Sequence, residues 1–528
     1  MQSEFRYNNL QEVFRMKPLQ TKALRLSALV LSFTTILLSF FACSSLEDTD
    51  ATTDHTPVVE TNSNGETLST LKIGYTQSDT LSPYTATGTV NQELSALIYD
   101  PLFTLDEHYT AVPVIAESYT LSGVTLTVAL KSGVRFTDGT ALTADHVVAS
   151  FNKAKTAPAY QARLANFESA KNEQGQVVFT LSRNDPYAVN CLDFAIAKDP
   201  DAEVPIGSGR FVFDSAQAPT KITWNDGNIR GVEPVLQEFS LISVSDNSSV
   251  NNALKIGNIS FVFDSLSGGS VQRVNASTAE ISLNNLVFLG VNSKSTLLSD
   301  INVRKAVSCA INREEIVTTG YQNHATAASE PFNPAWSAYQ ALGRTVQALD
   351  QGGAEQLLKN AGYTEKNASG IFTNNNRPLQ LKLVVNSGNA FREEAAQLIS
   401  EQLAQAGIGV EITTLAYDQY VQTISSGSYD LYLGEVNLSC NMDLTPLFAK
   451  GGAVSYGIDT AGATCTAYTR LLNGEIQLAD FLTAFNEELP IIPLCYRGGL
   501  LLYSRAITVP VIGTESDVFY NIHEWTLS

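Results

Sequence analysis

The alternation of apolar and polar positions is most readable in the second half of the chain. Leu379, Leu381, Leu383 and Val385 alternate with Gln380, Lys382, Val384 and Asn386, which predicts a strand. Phe391, Ala395, Leu398, Ile399, Leu403 and Ala406 then recur at helical spacing, and Gly407 stands where a helix C-terminal glycine belongs. Ile408, Val410 and Ile412 return to period two. A second helix is predicted around Tyr420, Val421 and Ile424, ending near Gly427, before a strand over residues 429–435. Such a β-α-β-α-β run implies a mostly parallel sheet with right-handed crossovers. Ligands of open α/β sheets sit outside the carboxyl ends of the strands, so residues 436–443 should face a cleft.

Upstream, Val303, Ala306, Val307, Ala310 and Ile311 form one apolar helical face. Asn312, three residues before Glu315, has the spacing of a capping box on the next helix. Alternation over residues 119–136 predicts a hairpin. Near the start, Arg15, Lys17, Lys22 and Arg25 precede an apolar run over residues 26–42 that ends at Cys43. A basic flank, an apolar stretch and a small residue before a cut site make a secretory signal, starting at Met1 or Met16. The run is about 17 residues, which is also the lower limit for spanning a bilayer. Residues 44–69 are Ser, Thr, Asp, Glu and Asn with almost no large apolar residue, the composition of a flexible tether.

Composition narrows the function. The 528 residues exceed what one core usually organises, so two or three lobes are expected. With 33 basic and 53 acidic residues the net charge is −20, which argues against a nucleic-acid partner. Removing residues 1–42 leaves 28 basic against 51 acidic, net −23. Cys191, Cys309, Cys440, Cys465 and Cys495 show no zinc spacing; Cys440 could join Cys465, and the odd count leaves at least one free thiol. His55, His108, His146, His324 and His523 stand in no catalytic or metal-binding motif, and neither a nucleophile–base pair nor a cofactor site is evident.

Four ordered motifs carry a family resemblance. The run Leu130-Lys131-Ser132-Gly133-Val134-Arg135-Phe136-Thr137-Asp138-Gly139-Thr140 leads into Leu142-Thr143-Ala144-Asp145-His146-Val147. Then come Pro205-Ile206-Gly207-Ser208-Gly209-Arg210-Phe211, Asn302-Val303-Arg304-Lys305-Ala306-Val307 through Ala310-Ile311-Asn312-Arg313, and Leu357-Leu358-Lys359-Asn360-Ala361-Gly362-Tyr363. Together these resemble the extracellular solute-binding proteins, family 5, which serve oligopeptide, dipeptide and nickel ABC importers. Physically, Asp138-Gly139 reads as a turn at the hairpin end, Thr143 as a helix cap, and Gly207-x-Gly209 as a turn rather than a phosphate loop. Phe40-Phe41-Ala42-Cys43 resembles a bacterial lipobox, in which the cysteine is lipidated.

The resemblance implies an α/β, two-lobed periplasmic-binding-protein-like fold of type II with the extra domain of the peptide-binding cluster, its mixed sheets flanked by helices. Lobe I would comprise residues 70–100, 201–290 and 486–528, the extra domain 101–200, and lobe II 291–485. It implies a monomeric, lipid-anchored, extracytoplasmic protein that closes on a peptide or other small solute and docks on an ABC permease and ATPase complex. It is not expected to be an enzyme; a surface peptide sensor or chaperone without transport, or a nickel binder, are the other readings. By family position and cleft geometry, Asp443 is the candidate anchor for a ligand amine, with Glu435 and Asn441 close by. Arg497 is the candidate carboxylate partner, and Tyr496 and Tyr84 are candidate ligand contacts.

Overall fold

The computed structural model describes residues 70–246 and 249–528, all in one compact unit. The secretory signal, the tether and Cys43 lie outside the described residues. The fold is a two-lobed α/β architecture organised by one long mixed sheet. In chain order its strands are β1 (Lys72–Thr76), β2 (Phe211–Phe213), β3 (Lys221–Trp224), β4 (Glu238–Val244), β5 (Phe261–Asp264), β6 (Ser277–Val291), β7 (Gln380–Asn386), β8 (Gly409–Leu415), β9 (Leu431–Asn437) and β10 (Ile491–Tyr503). Their spatial order is β8-β7-β9-β6-β10-β5-β1-β4-β3-β2, and a short eleventh strand, Ala325–Ala327, pairs with β10 off this path. The flanking helices used below are α1 (Thr89–Ile98), α2 (Ala144–Ala154), α3 (Ile301–Cys309), α4 (Ala390–Gln405) and α5 (Tyr417–Ser426).

The predicted β-α-β-α-β run is present as β7-α4-β8-α5-β9, with β7 parallel to both β8 and β9. The alternation works because Leu379, Leu381, Leu383 and Val385 are buried, as is the face of α4 carrying Phe391, Ala395, Ile399 and Leu403. Gly407 follows α4 at φ +80 and Gly427 follows α5 at φ +73, the left-handed conformation that glycine adopts at least cost. On the other half β1, β4 and β5 are mutually parallel. The two halves are joined through β6 and β10, which pair antiparallel from Ser277↔Tyr503 to Gly290↔Ile491. β6 also pairs with β9, and β10 with β5.

A four-stranded antiparallel sheet, built from Ala116–Ser122, Thr125–Leu130, Phe167–Glu173 and Gln176–Leu181, occupies the segment between α1 and β2. Its first two strands are the predicted hairpin. Asp138-Gly139 is a turn, with Thr140 N donating to Asp138 Oδ1 at 2.9 Å and Gly139 at φ +84, but it lies eight residues beyond the hairpin strand. Thr143 does cap α2, its backbone N–H donating to His146 Nδ1 at 3.1 Å.

Two local expectations are corrected by packing. Gly207 and Gly209 have no left-handed φ; they are small because the chain runs against the end of α1. A Cβ on Gly207 would stand 1.9 Å from Ile98 O, and Gly209 N donates to that same oxygen at 2.9 Å. Asn312 does accept from Glu315 N at 3.3 Å, but Glu315 does not return the bond. Gln402 of α4 bridges instead, accepting from Asn312 N at 2.9 Å and donating to Glu315 Oε2 at 2.9 Å.

Candidate ligand-binding cleft

The carboxyl ends of the parallel strands in the two halves converge on β6 and β10. β5 ends at Asp264 and β9 at Asn437, and the loop after β5 reaches the N-terminus of α4, where Asn389 Nδ2 donates to Ser267 O at 3.2 Å. Two features let the crossing strands carry polar side chains here. The β6–β10 ladder shifts register between Ser282 and Asn285, which turns Asn285 toward β9. Gly498 and Gly499 of β10 keep the neighbouring strands close, since a Cβ on Gly499 would stand 2.5 Å from the Phe263 ring.

At this junction Glu435, on β9, is gripped by two arginines. Arg497 of β10 donates to Oε1 through Nε at 2.9 Å and Nη2 at 2.7 Å, and Arg392 of α4 donates to Oε2 at 2.6 Å. Asn285 Nδ2 adds a bond to Oε1 at 2.8 Å. The carboxylate is 8% exposed. Burial alone raises its pKa, but Arg497 and Arg392 together outweigh burial and hold it below the ordinary glutamate value. Arg497 also donates to Ser265 O, tying the lobe-crossing strand to the end of β5. Two arginines share one glutamate, so the cluster carries a surplus positive charge. Arg392 Nε and the Tyr321 hydroxyl, both buried beside it, have no hydrogen-bond partner.

A chain of polar contacts leads from this cluster to the C-terminal segment. Asn437 Nδ2 donates to Asn285 Oδ1 at 2.8 Å and to Glu515 Oε1 at 3.4 Å. Glu515 Oε2 accepts from the Tyr109 hydroxyl at 3.0 Å and from Asn284 N at 3.1 Å. Burial raises the Glu515 pKa, and these bonds offset only part of the rise. Glu515 lines a cavity of about 260 Å³ that extends along α1, with Glu93, Tyr160, Arg163 and Asp193 among its walls.

Of the residues singled out in the sequence, Glu435 and Arg497 are brought into direct contact. Asp443 and Asn441 are not with them; they line a second cavity of about 250 Å³ with Asp185, Tyr187 and Trp336. Asp443 is held by Arg183 at 2.5 Å, by the Tyr468 hydroxyl at 2.5 Å and by Thr445 N at 2.9 Å, so it also caps the turn that follows. Asn441 Nδ2 donates to Asp185 at 2.6 Å. Tyr84 and Tyr496 are buried, with hydroxyls donating to Ala195 O at 2.8 Å and Pro331 O at 2.9 Å. The neighbour of Cys440 is Cys191, at 3.9 Å between sulfurs, and not Cys465; all five described cysteines are free. Arg392, Asn285 and Glu515 escaped the sequence reading. Arg392 lies in the first turn of α4 next to the buried Phe391, at a position where a charged side chain normally faces solvent.

Among the described residues no helix is long and apolar enough to cross a membrane, and no group of three or more His, Cys, Asp or Glu could hold a metal ion. Residues 110–450 match the profile described as "Bacterial extracellular solute-binding proteins, family 5 Middle". The oligopeptide-binding protein AppA of Bacillus subtilis (strain 168) is 26% identical over 381 residues, covering 65% of this chain and 68% of that protein. The glutathione-binding protein GsiB of Escherichia coli (strain K12) is 26% identical over 409 residues, covering 70% and 76%. Among solved structures, NikA from Brucella suis in complex with Fe(III)-EDTA superposes with a TM-score of 0.65 at 18% identity, over 87% of this chain and 100% of that one. AppA from Bacillus subtilis in complex with a nonapeptide gives 0.54 at 22% identity, over 87% and 98%. These structural likenesses bear on the fold alone. The profile match spans well over half of the sequence, all four motifs lie within it, and the chain belongs to the bacterial extracellular solute-binding proteins, family 5.

Proposed function

We propose that this protein is the substrate-binding component of an ABC importer and captures a peptide or peptide-like solute between its lobes by hinge closure. The single observation that carries the solute class is the Arg392–Glu435–Arg497 cluster. Two cations converge on one carboxylate where the strand ends of both halves meet, leaving donor capacity for a second carboxylate. A solute with a free carboxylate would complete that pairing, and in doing so bridge β10, β9 and α4. The peptide and glutathione named for the relatives AppA and GsiB both bear such a group, which supports the same reading.

In this reading residues 70–100, 201–290 and 486–528 form lobe I, 101–200 the extra domain and 291–485 lobe II. Residues 1–42 are a signal, Cys43 is lipidated, and 43–69 tether the body to the outer face of a membrane where a permease and ATPase wait. The protein acts as a monomer and catalyses no reaction. The test is calorimetry on the purified protein with a tripeptide and with its C-terminal amide. The free acid is expected to bind at least tenfold more tightly, and the Arg497→Gln variant to lose that ratio. Equal binding of acid and amide would remove the arginine cluster from the site.

A further inference from the structure

Cys191 and Cys440 come from segments 249 residues apart and meet where two apolar cores touch. Cys191 closes a single helical turn, Ala188–Cys191, in the segment between α1 and β2, and is wholly buried. Cys440 is half-buried in the loop that follows β9. It packs against the core that contains Cys191 and also against the core formed with Leu438, Met442 and Leu444. Cys465 and Cys495, by contrast, are each enclosed in one core, where a free cysteine behaves as a small apolar side chain.

The main chains on both sides of the sulfurs are already stapled together. Asn190 Nδ2 donates to Cys440 O at 3.1 Å, and the Cys440 thiol donates to Asn190 O at 3.1 Å. Across the same boundary Asn441 reaches Asp185 at 2.6 Å, and Arg183 reaches Asp443 at 2.5 Å. The two sulfurs lie 3.9 Å apart, against about 2.05 Å in a disulfide. Rotation about either Cα–Cβ bond moves its sulfur on the scale of that difference. The two thiols are also unequal. Cys440 is open to a reagent, whereas the thiol beside it, together with burial, pushes the Cys191 thiol well above the ordinary cysteine value.

We propose that Cys191 and Cys440 are a disulfide-forming pair that fastens the segment before β2 to the loop after β9. The oxidant is an external disulfide. The Cys440 thiolate attacks one of its sulfurs and expels a thiolate, leaving a mixed disulfide. Cys191 then releases its proton to solvent and attacks the Cys440 sulfur, which expels the second thiolate. Two cysteine thiols are thereby oxidised to one disulfide, and the external disulfide is reduced to two thiols. The loop so tied begins after Asn437, two residues beyond Glu435, so the bond restrains the cleft wall that carries the arginine cluster. That restraint rests on the solute-binding reading, and its oxidising setting on the extracytoplasmic location; formation of the bond rests on neither.

The test incubates the full protein with oxidised glutathione and maps its peptides by mass spectrometry without reduction. Peptides joined through Cys191 and Cys440 are expected in most molecules. Glutathione left on Cys440 with Cys191 still a thiol, or a link from Cys440 to Cys465, would overturn the pair. Cys440→Ser is expected to abolish the link, and Cys191→Ala serves as the second variant if the first does not fold. Protein loaded with a free-acid tripeptide is then either oxidised or kept reduced with dithiothreitol, and release of the tripeptide is timed. Oxidation is expected to slow release by about tenfold, as when opening limits the rate, and to have no effect in Cys440→Ser. Equal release rates with the link present would uphold the disulfide and overturn its hold on the cleft. A tripeptide that binds neither form would overturn the peptide reading instead, and the peptide map would still decide the disulfide.

Discussion

Two buried arginine–carboxylate networks in this molecule differ in one respect, their stoichiometry. Near the C-terminus Arg210 and Arg230 face Asp100 and Asp517, two cations for two anions, with Asp100 and Asp517 almost wholly enclosed. Arg210 also donates to Phe519 O at 2.9 Å, and Asn228 donates to Asp100 Oδ2 at 2.9 Å. Between the lobes Arg392 and Arg497 face Glu435 alone. A balanced network needs nothing further, and it pins the C-terminal segment to α1 and β2. An unbalanced one keeps donors available at the place where the halves of the sheet meet. On the proposed reading of the Arg392–Glu435–Arg497 cluster as the solute's carboxylate site, charge balance, more than burial, separates the two clusters.

That distinction can be broken by experiment. The largest effect is expected for Asp517→Ala, which leaves the buried Arg210 without its carboxylate partner and two arginines facing Asp100 alone. Unfolding in urea should show a loss of about 3–5 kcal/mol, the usual result of removing one partner of a buried pair. A loss below about 1 kcal/mol would erase the contrast. Arg497→Gln should behave differently, because Glu435 keeps Arg392 and the remaining pair is neutral. Its stability should fall by less than that of Asp517→Ala, while affinity for a carboxylate-bearing peptide drops by about 2 kcal/mol in calorimetry.

The smallest effect is that of acid. Glu435 has a folded-state pKa below its unfolded value, so it contributes stability above about pH 4, and that contribution is lost as pH falls through the folded pKa. A comparison of Tm against pH for the native protein and Glu435→Gln should show this acid-side loss in the native protein only. Parallel curves would mean that the two arginines do not stabilise the ionised form.

The fold was legible wherever a face was consistently buried. The helical spacing in α4 reports one-sided burial, whereas β7 alternates only over its first half because Val384 and Asn386 on its other face are buried as well; both elements lie within two residues of their predicted limits. Gly207 and Gly209 were legible as glycines with a purpose, but not the purpose, because the constraint comes from Ile98, more than 100 residues away. The site was half legible. Glu435 could be placed because it ends the predicted strand, and Arg497 by its charge and family position, although it lies within β10 and not after an element. Arg392 could not, since its partner lies 43 residues away on a different element and its local sequence is that of any solvated helix turn. Asp443 shows the converse. Its residue type and position fit an amine anchor, yet Arg183, contributed by a distant segment, already occupies it.

The long ladder between β6 and β10 bears on how the two halves of the sheet are coupled. A linker of loose residues swings with little resistance and leaves its amides exposed. Here the connection is a pair of strands hydrogen-bonded to each other over most of their length and flanked by β9 and β5. If the lobes move by the proposed hinge closure, the movement is expected to be a twist distributed along these strands, with the register shifts at Ser282/Asn285 and Val287/Phe288 as its natural bending points. The amides of the junction are then expected to stay protected from hydrogen exchange with and without solute, because the ladder that holds them need not break.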